Sequence, residues 1–183
     1  SAGQLTELTL NAGVADVITV SEISLASGAG NIALTAGSGG LITLSAVSAA
    51  TKAIGDITVA GSGDVLFGGI LATGMGDFRI GADARASAGS SHFSAITVGD
   101  VALSGDGGTF EFATASTVGD VVIDGSGVTL EFNSAAGAVS IESITITGSG
   151  QTTLSVNSAA AVGEVLVDIA AASTATLNFA SVT

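Results

Sequence analysis

Residues 117–157 read TVGDVVIDGSGVTLEFNSAAGAVSIESITITGSGQTTLSVN and contain two copies of one pattern. In each copy an acidic or small residue precedes a short alternating apolar strand, a Gly-Ser-Gly corner follows, and a second alternating strand comes next. Asp120 begins the strand pair of the first copy, and Ser143 begins that of the second. A repeat of this kind, built from short strands, is typical of one coil of a β-solenoid, whose coils pack on their neighbours.

The first half of this pattern, a tetrad of acidic-apolar-x-apolar residues, recurs along the chain. The tetrads begin at Glu7, Glu22, Asp56, Asp77, Asp100, Asp120, Ser143 and Glu164, with Ser143 in place of an acid. From Asp56 onward they recur at a nearly constant interval, whereas the first two intervals are irregular, one shorter and one longer. The sequence therefore predicts an all-β chain that forms a single β-solenoid domain over 1–183, with roughly 20–23 residues per coil. The segment 1–52 is expected to form irregular coils or a cap, and 53–183 regular coils.

The second strand predicts the interior of the solenoid. Side chains alternate between the two faces of a strand, so the first and third residues of Phe110-Glu111-Phe112 share one face. Stacking the equivalent triplets predicts one inward column, which consists of Phe67, Phe112, Phe132, Val156 and Phe179. Gly-x-Gly corners follow the first strand because glycine reaches positive φ without steric cost; they lie at 28–30, 61–63, 105–107, 125–127 and 148–150.

An antiparallel sandwich, in which a strand recurs about every 8 to 12 residues, is the alternative fold. That fold gives no reason for the same residue type to return at the same place, so the repeat favours the solenoid. Helix is disfavoured because Gly, Thr and β-branched residues dominate and no apolar stripe of helical period persists.

The stretch 81–96, GADARASAGSSHFSAI, breaks the pattern. It is predicted to be a loop insertion on one face of the solenoid. Arg85 and His92 lie in it and Arg79 just before it, so these three residues are the predicted contact with a ligand or partner; the alternative is a surface loop with incidental charge.

The charge balance limits the partners. The formal net charge is −13, and the cations are Lys52, Arg79 and Arg85. Nucleic acid and anionic lipid both require clustered Lys and Arg, so neither is expected as a partner. No apolar run approaches the length of a membrane-spanning segment, so insertion into a membrane is not expected. An acidic, cysteine-free composition is compatible with an extracellular bacterial product.

A column of carboxylates at one edge of the stacked coils is the predicted metal site. Calcium takes six to eight oxygen ligands from carboxylates and carbonyls, and it relieves repulsion between neighbouring acids. The predicted calcium ligands are Asp56, Asp77, Asp100, Asp106, Asp120, Asp124 and Glu164. The alternative is that these acids are polar strand ends that prevent edge-to-edge pairing.

No catalytic constellation is present in the sequence, and a non-enzymatic role is expected. One histidine and no cysteine argue against a zinc site. His92 has no serine-elbow motif near it, and Lys52 does not follow a glycine-rich phosphate loop.

The stretches GNIALTAGSGGLITLSA (30–46) and VGDVVIDGSGVTLEFNSAAGAVSIESITITGSG (118–150) resemble the repeats of bacterial secreted surface proteins. The groups they resemble are S-layer proteins exported by type I systems and filamentous-haemagglutinin-like adhesins. The resemblance implies an extracellular scaffold, often calcium-dependent. We therefore expect a structural module of a cell-surface layer or filament that self-associates through its solenoid ends and faces. The alternative is an adhesin that recognises a cell-surface or glycan ligand through 81–96.

Overall fold

The computed structural model describes residues 5–180 except 28, 82, 87–89, 134–138 and 158. The described residues form strands, turns and bends and no helix, so no apolar helix long enough to cross a membrane occurs among them. The strands are β1 Leu5–Ala12, β2 Val17–Val20, β3 Ile23–Ser24, β4 Ala29–Ala36, β5 Leu41–Ile54, β6 Ile57–Gly61, β7 Asp64–Met75, β8 Phe78–Ile80, β9 Arg85–Ala86, β10 Ser90–Ser94, β11 Thr97–Val98, β12 Val101–Leu103, β13 Thr109–Phe112, β14 Thr117–Ile123, β15 Thr129–Asn133, β16 Val139–Ile146, β17 Gln151–Asn157, β18 Ala159–Val167 and β19 Thr174–Phe179.

The strands stack in parallel to make about seven turns of a β-solenoid, which confirms the predicted fold class. One turn runs through β11, β12 and β13; in the next turn the start of β14, the end of β14 and β15 lie directly over them. Val101 pairs with Val121, 20 residues on, whereas Ile32 pairs with Ile57, 25 residues on, so the length of a turn differs along the stack. Most strands of the middle turns hydrogen-bond to the turns above and below, so most of their backbone groups are satisfied within the stack.

The tetrads stack in register, as predicted. Asp120 lies over Ser143, which lies over Glu164, and the apolar residues after them pair as Val121–Ile144–Val165. The same column continues through β12, β8 and β6 towards the N-terminus. Its inward side chains are fully buried from Ile32 to Ile144 and form one wall of the core.

The N-terminal turns differ from the expected irregular coils. β1 pairs with β4, and β4 pairs with β6, so the tetrad column continues through Glu7 and Asn31. Asn31 occupies the acidic position, which is why a pattern that requires an acid does not include this turn. Glu22, by contrast, precedes β3, which pairs with Val47 and Ser48 in another column. The tetrad that begins at Glu22 therefore lies outside the column formed by the other tetrads, contrary to the repeat pattern.

Phenylalanine rings fill the middle of the core. Phe93, Phe112 and Phe132 stack with centroid distances of 4.9 and 5.2 Å, close to the spacing of adjacent strands. Phe78 packs across the core against Phe93, with centroids 4.9 Å apart. The predicted inward column is therefore correct for Phe112 and Phe132, both fully buried.

Phe67 does not belong to that column. β7 pairs with β5 so that Phe67 lies over Leu44, and it is Ile70 that lies under Phe93. The stretch from the tetrad strand to this column is 11 residues long from Val59 to Ile70, but 9 residues long from Leu103 to Phe112. Counting residues from a corner therefore assigns Phe67 to the wrong column. Val156 and Phe179 do pair in the predicted column.

Residues 81–96 do not form the predicted loop insertion where the structure describes them. Arg85 pairs with Asp64 in β7, and β10 pairs with both β7 and β13. Phe93 from this segment is 1% exposed and is part of the aromatic stack. The described residues of the segment belong to a turn of the solenoid, and its many small residues, Ala, Ser and Gly, hide the strand pattern.

Most of the predicted corners are turns after the tetrad strand. Gly61, Gly107, Gly127 and Gly150 have φ values of 91°, 75°, 70° and 80°, which a side chain would strain. The corner predicted at 28–30 is wrong: Ala29 and Gly30 begin β4, before the tetrad. A Cβ on Gly30 would lie 1.7 Å from the Thr6 carbonyl oxygen, so glycine is required there by close packing of two turns.

Replacing Phe112 tests the aromatic stack. Phe112→Ala should lower the free energy of unfolding by about 3–5 kcal/mol, because it leaves a cavity between two stacked rings. Phe112→Leu retains most of the apolar volume and should cost on the order of 1 kcal/mol. Urea unfolding followed by circular dichroism measures both. Equal losses for the two variants would contradict the packing described here.

Candidate functional site

A hydrogen-bonded column of Asn31, Asp56, Asp77, Asp100 and Asp120 runs along the edge where the tetrads begin. We call it the Gly-Asp ladder, because a glycine precedes each aspartate. The Oδ1 of Asn31 accepts a hydrogen bond from the Asp56 N–H at 3.0 Å. The same bond links the later steps at 3.0, 2.9 and 3.0 Å, each from the backbone N–H of one turn to the side chain of the turn before it. At the end of the column, Ser143 donates its hydroxyl to the Asp120 Oδ1 at 2.6 Å.

The glycines of the ladder make room for these oxygens. A Cβ on Gly76 would lie 2.3 Å from the Asp56 Oδ1, and a Cβ on Gly99 would lie 2.4 Å from the Asp77 Oδ1. Gly55 and Gly119 are in the same position against Asn31 and Asp100. The pattern of acidic tetrads does not predict this role for the glycines. The signal that could have revealed the role is the dipeptide Gly-Asp at 55–56, 76–77, 99–100 and 119–120.

The ladder offsets the repulsion between its own charges. Carboxylates about 5 Å apart in adjacent turns repel by roughly 1 kcal/mol in water. A hydrogen bond that a charged group accepts contributes about 1.5–3 kcal/mol, so each step is favourable on balance. Arg79 adds a cation: its guanidinium lies 2.5 Å from the Asp77 Oδ2 and 4.0 Å from the Asp100 Oδ2. All three side chains are partly exposed, so the ion pairs are screened by solvent and contribute little.

The structure brings together only part of the predicted calcium site. Asp56, Asp77, Asp100 and Asp120 line one edge, with Glu164 on the same column two turns beyond Asp120. Asp106 and Asp124 come after the tetrad strand, and the Asp106 Oδ1 accepts the Ser126 N–H at 3.2 Å instead. Within the described part of the chain, no three acids or histidines are grouped as a metal site. The ladder therefore gives Asp56, Asp77, Asp100 and Asp120 a role in joining turns. Calcium binding by the seven predicted ligands stays a prediction.

The predicted contact residues are also separated. Arg79 is held by Asp77 on the outer face of β8, while Arg85 and His92 lie on β9 and β10 in the next turn. The side chains of Arg85 and His92 lie outside the described residues. Their role in binding a partner stays a prediction.

Side-chain hydrogen bonds also join the C-terminal turns along their second strands, β13, β15, β17 and β19. Asn133 donates its amide to the Glu111 Oε1 at 2.8 Å, and Asn157 donates in turn to Asn133. Asn178 donates to the Ser155 hydroxyl at 3.3 Å. These bonds run between side chains in two neighbouring columns, whereas those of the Gly-Asp ladder run from backbone N–H to side chain, but both sets join one turn to the next.

No protein-family model, curated protein or solved structure matches this chain.

Substitution of Asp56 separates hydrogen bonding from charge. Asp56→Asn retains the Oδ1 acceptor, as Asn31 does naturally, and should leave stability within about 0.5 kcal/mol because it also removes repulsion. Asp56→Ala leaves the Asp77 N–H without its acceptor and should cost about 1–3 kcal/mol. Glu142→Ala, at an exposed acid outside the ladder, is the control for loss of charge. Urea midpoints compare the three, and an Asn variant as unstable as the Ala variant would contradict the ladder.

Proposed function

We propose that this chain is a non-enzymatic structural module of a bacterial cell-surface layer or extracellular filament, which joins to other copies through its terminal turns. The observation that supports this proposal is the exposure of side chains from the core columns in the first and last described turns of a regular parallel stack. The resemblance of the repeats to those of secreted surface proteins supports the location outside the cell.

The C-terminal turn shows the exposure most directly. Val165 and Val167 occupy the same columns as Ile144 and Ile146 one turn earlier. The earlier pair is fully buried, whereas Val165 and Val167 are 43% and 42% exposed. β18 and β19 each pair with one strand of the described chain, so half of their backbone groups face away from the stack. Such an edge pairs readily with another strand.

The N-terminal turn presents the matching surface. Among the described strands, β1 pairs only with β4, and β2 and β3 pair only with β5. Leu8 and Leu10, which lead the columns that end at Val165 and Val167, are only partly buried. A head-to-tail contact would continue these apolar columns and the parallel ladder from one copy into the next. A contact of this kind between different ends does not close on itself and generates a filament.

Charge limits how readily such a contact forms. Glu7 and Glu164 stand at the two ends of the tetrad column, so a head-to-tail contact in register brings two carboxylates close together. The net charge of −13 adds repulsion between whole copies. Salt screens both effects. Calcium, which carboxylates bind, would act here by bridging copies.

A lysine at the exposed end tests the contact. Val167→Lys should abolish end-to-end assembly, because it places a charge in the apolar contact between two copies. The single copy should still fold, because the lysine side chain can extend into water from the exposed last turn. Leu166→Lys, on the outward face of the same strand, is the matched control and should leave assembly intact. Sedimentation velocity and electron microscopy at rising protein concentration measure assembly. A parent chain that stays monomeric at every salt and calcium concentration would rule out this function.

Calcium is tested separately. Adding calcium should raise the melting temperature or the assembled fraction, and chelator should reverse the change, because a ligand that binds the folded or assembled state stabilises it. Magnesium at the same ionic strength controls for screening. No difference between calcium and chelator in either measurement would remove calcium from the proposal.

A further inference from the structure

Two adjoining hollows lie on the side of the solenoid, away from both ends. Their volumes are about 320 and 550 Å³. Ala46, Ser48 and Gly69 line the first, while Ile96 and Ser116 line the second. Leu71 and Ser94 line both. We call these two hollows with the residues around them the lateral groove.

The groove arises from one large residue in a column of small ones. Ser24, Ser48, Leu71 and Ser94 occupy equivalent positions in successive turns. Leu71 therefore stands above its neighbours as a ridge between the two hollows and is 47% exposed. The hollows form where the adjacent turns carry serine, alanine or glycine instead.

The exposed apolar residues point to this groove. Among the described residues, the large exposed hydrophobic side chains are Val14, Val17, Leu71, Ile96, Val165, Leu166 and Val167. All except Leu71 and Ile96 belong to the terminal turns, and these two lie together in the groove. Ile96 is 54% exposed, although its backbone is fixed by the Thr73 carbonyl and by Ser116. The exposed Ile96 side chain therefore stands on a backbone that hydrogen bonds hold in place.

The groove is also uncharged. The chain has 16 acidic residues, yet no charged residue is among the described residues that line either hollow. Two bodies with a charge of −13 repel wherever their carboxylates meet, and this repulsion is least where a neutral apolar face meets another. A ridge beside a hollow is also self-complementary, which is the property that a twofold contact between identical surfaces requires.

We propose that the lateral groove is the side-to-side contact between two copies of this chain. The copies are related by a twofold axis close to Leu71, and each Leu71 packs into a hollow of the other copy. This inference rests on the proposed structural function and adds the lateral contact that would join filaments into pairs or layers. The terminal turns and the groove are separate surfaces, so each contact can be removed without the other.

The contact is weak on its own. A stable dimer buries about 800 Å² on each partner. The groove extends over four turns, or roughly 14 Å along the axis, and so falls short of that area. Repetition along a filament raises the effective concentration of each further contact, so a weak pairing becomes sufficient once the ends are joined.

A single cysteine provides a direct test, because the chain has none. Leu71→Cys should be joined into a dimer by a thiol-reactive cross-linker that spans about 10 Å, since the twofold axis places the two cysteines across the contact and faces of this kind pack roughly 10 Å apart, too far for a direct disulfide. Thr58→Cys, at an exposed position on another face, is the matched control and should give severalfold less dimer. A dimer yield from Leu71→Cys no higher than that of the control overturns the inference. That result is also the one expected if a small apolar ligand or a different protein, and not a second copy, occupies the groove.

A charge substitution separates this inference from the proposed function. Leu71→Lys with Ile96→Lys should convert paired or layered assemblies into filaments one solenoid wide, while Thr58→Lys should not. Parent filaments that are already one solenoid wide overturn the lateral contact and leave the end-to-end function standing. If the parent does not assemble and neither cysteine variant cross-links, both proposals fail. If only the Leu71→Cys dimer forms, the groove contact stands and the end-to-end function fails.

Discussion

The hydrogen bond from the backbone N–H of one turn to a side-chain oxygen of the turn before it is the constraint that holds the tetrads in register from Asn31 to Asp120. It sets the vertical alignment of the tetrads and requires a side chain that reaches one turn and no further. Aspartate and asparagine meet that requirement, and glycine before the next aspartate leaves the space for the oxygen. Once this edge is aligned, the inward columns are aligned as well, because side chains alternate along each strand.

The sequence predicts the fold well where one physical requirement acts at a fixed place. The acids at Asp56, Asp77 and Asp100 align as predicted, and Phe112 and Phe132 are buried as predicted. Prediction fails where the pattern specifies a residue type, such as an acid, but the structure requires only a chemical group, such as an acceptor oxygen. The pattern omits Asn31 because its marker is charge, whereas the stack needs an acceptor oxygen. It does not predict the role of the ladder glycines because glycine is typical of turns, whereas here the close approach of two turns requires it.

Other features could not be predicted because they depend on neighbours distant in sequence. Phe93 lies in a stretch of small residues with no visible alternation, and its place in the core follows only from its pairing with Ile70 and Phe112. The lateral groove depends on Leu71 standing beside two serines that lie one full turn away in either direction. A single strand does not reveal such a surface, because the relevant surroundings come from the turns above and below.

The uneven distribution of aromatic rings has a consequence for folding. The rings of Phe78, Phe93, Phe112 and Phe132 contact one another in the central turns, whereas the first turns are built on smaller aliphatic and alanine side chains. A stack in which each turn contacts only its neighbours can nucleate at its strongest interface and propagate in both directions. The aromatic turns are that interface. Local opening at equilibrium therefore begins at the ends, and amide protons in the aromatic turns exchange with solvent last.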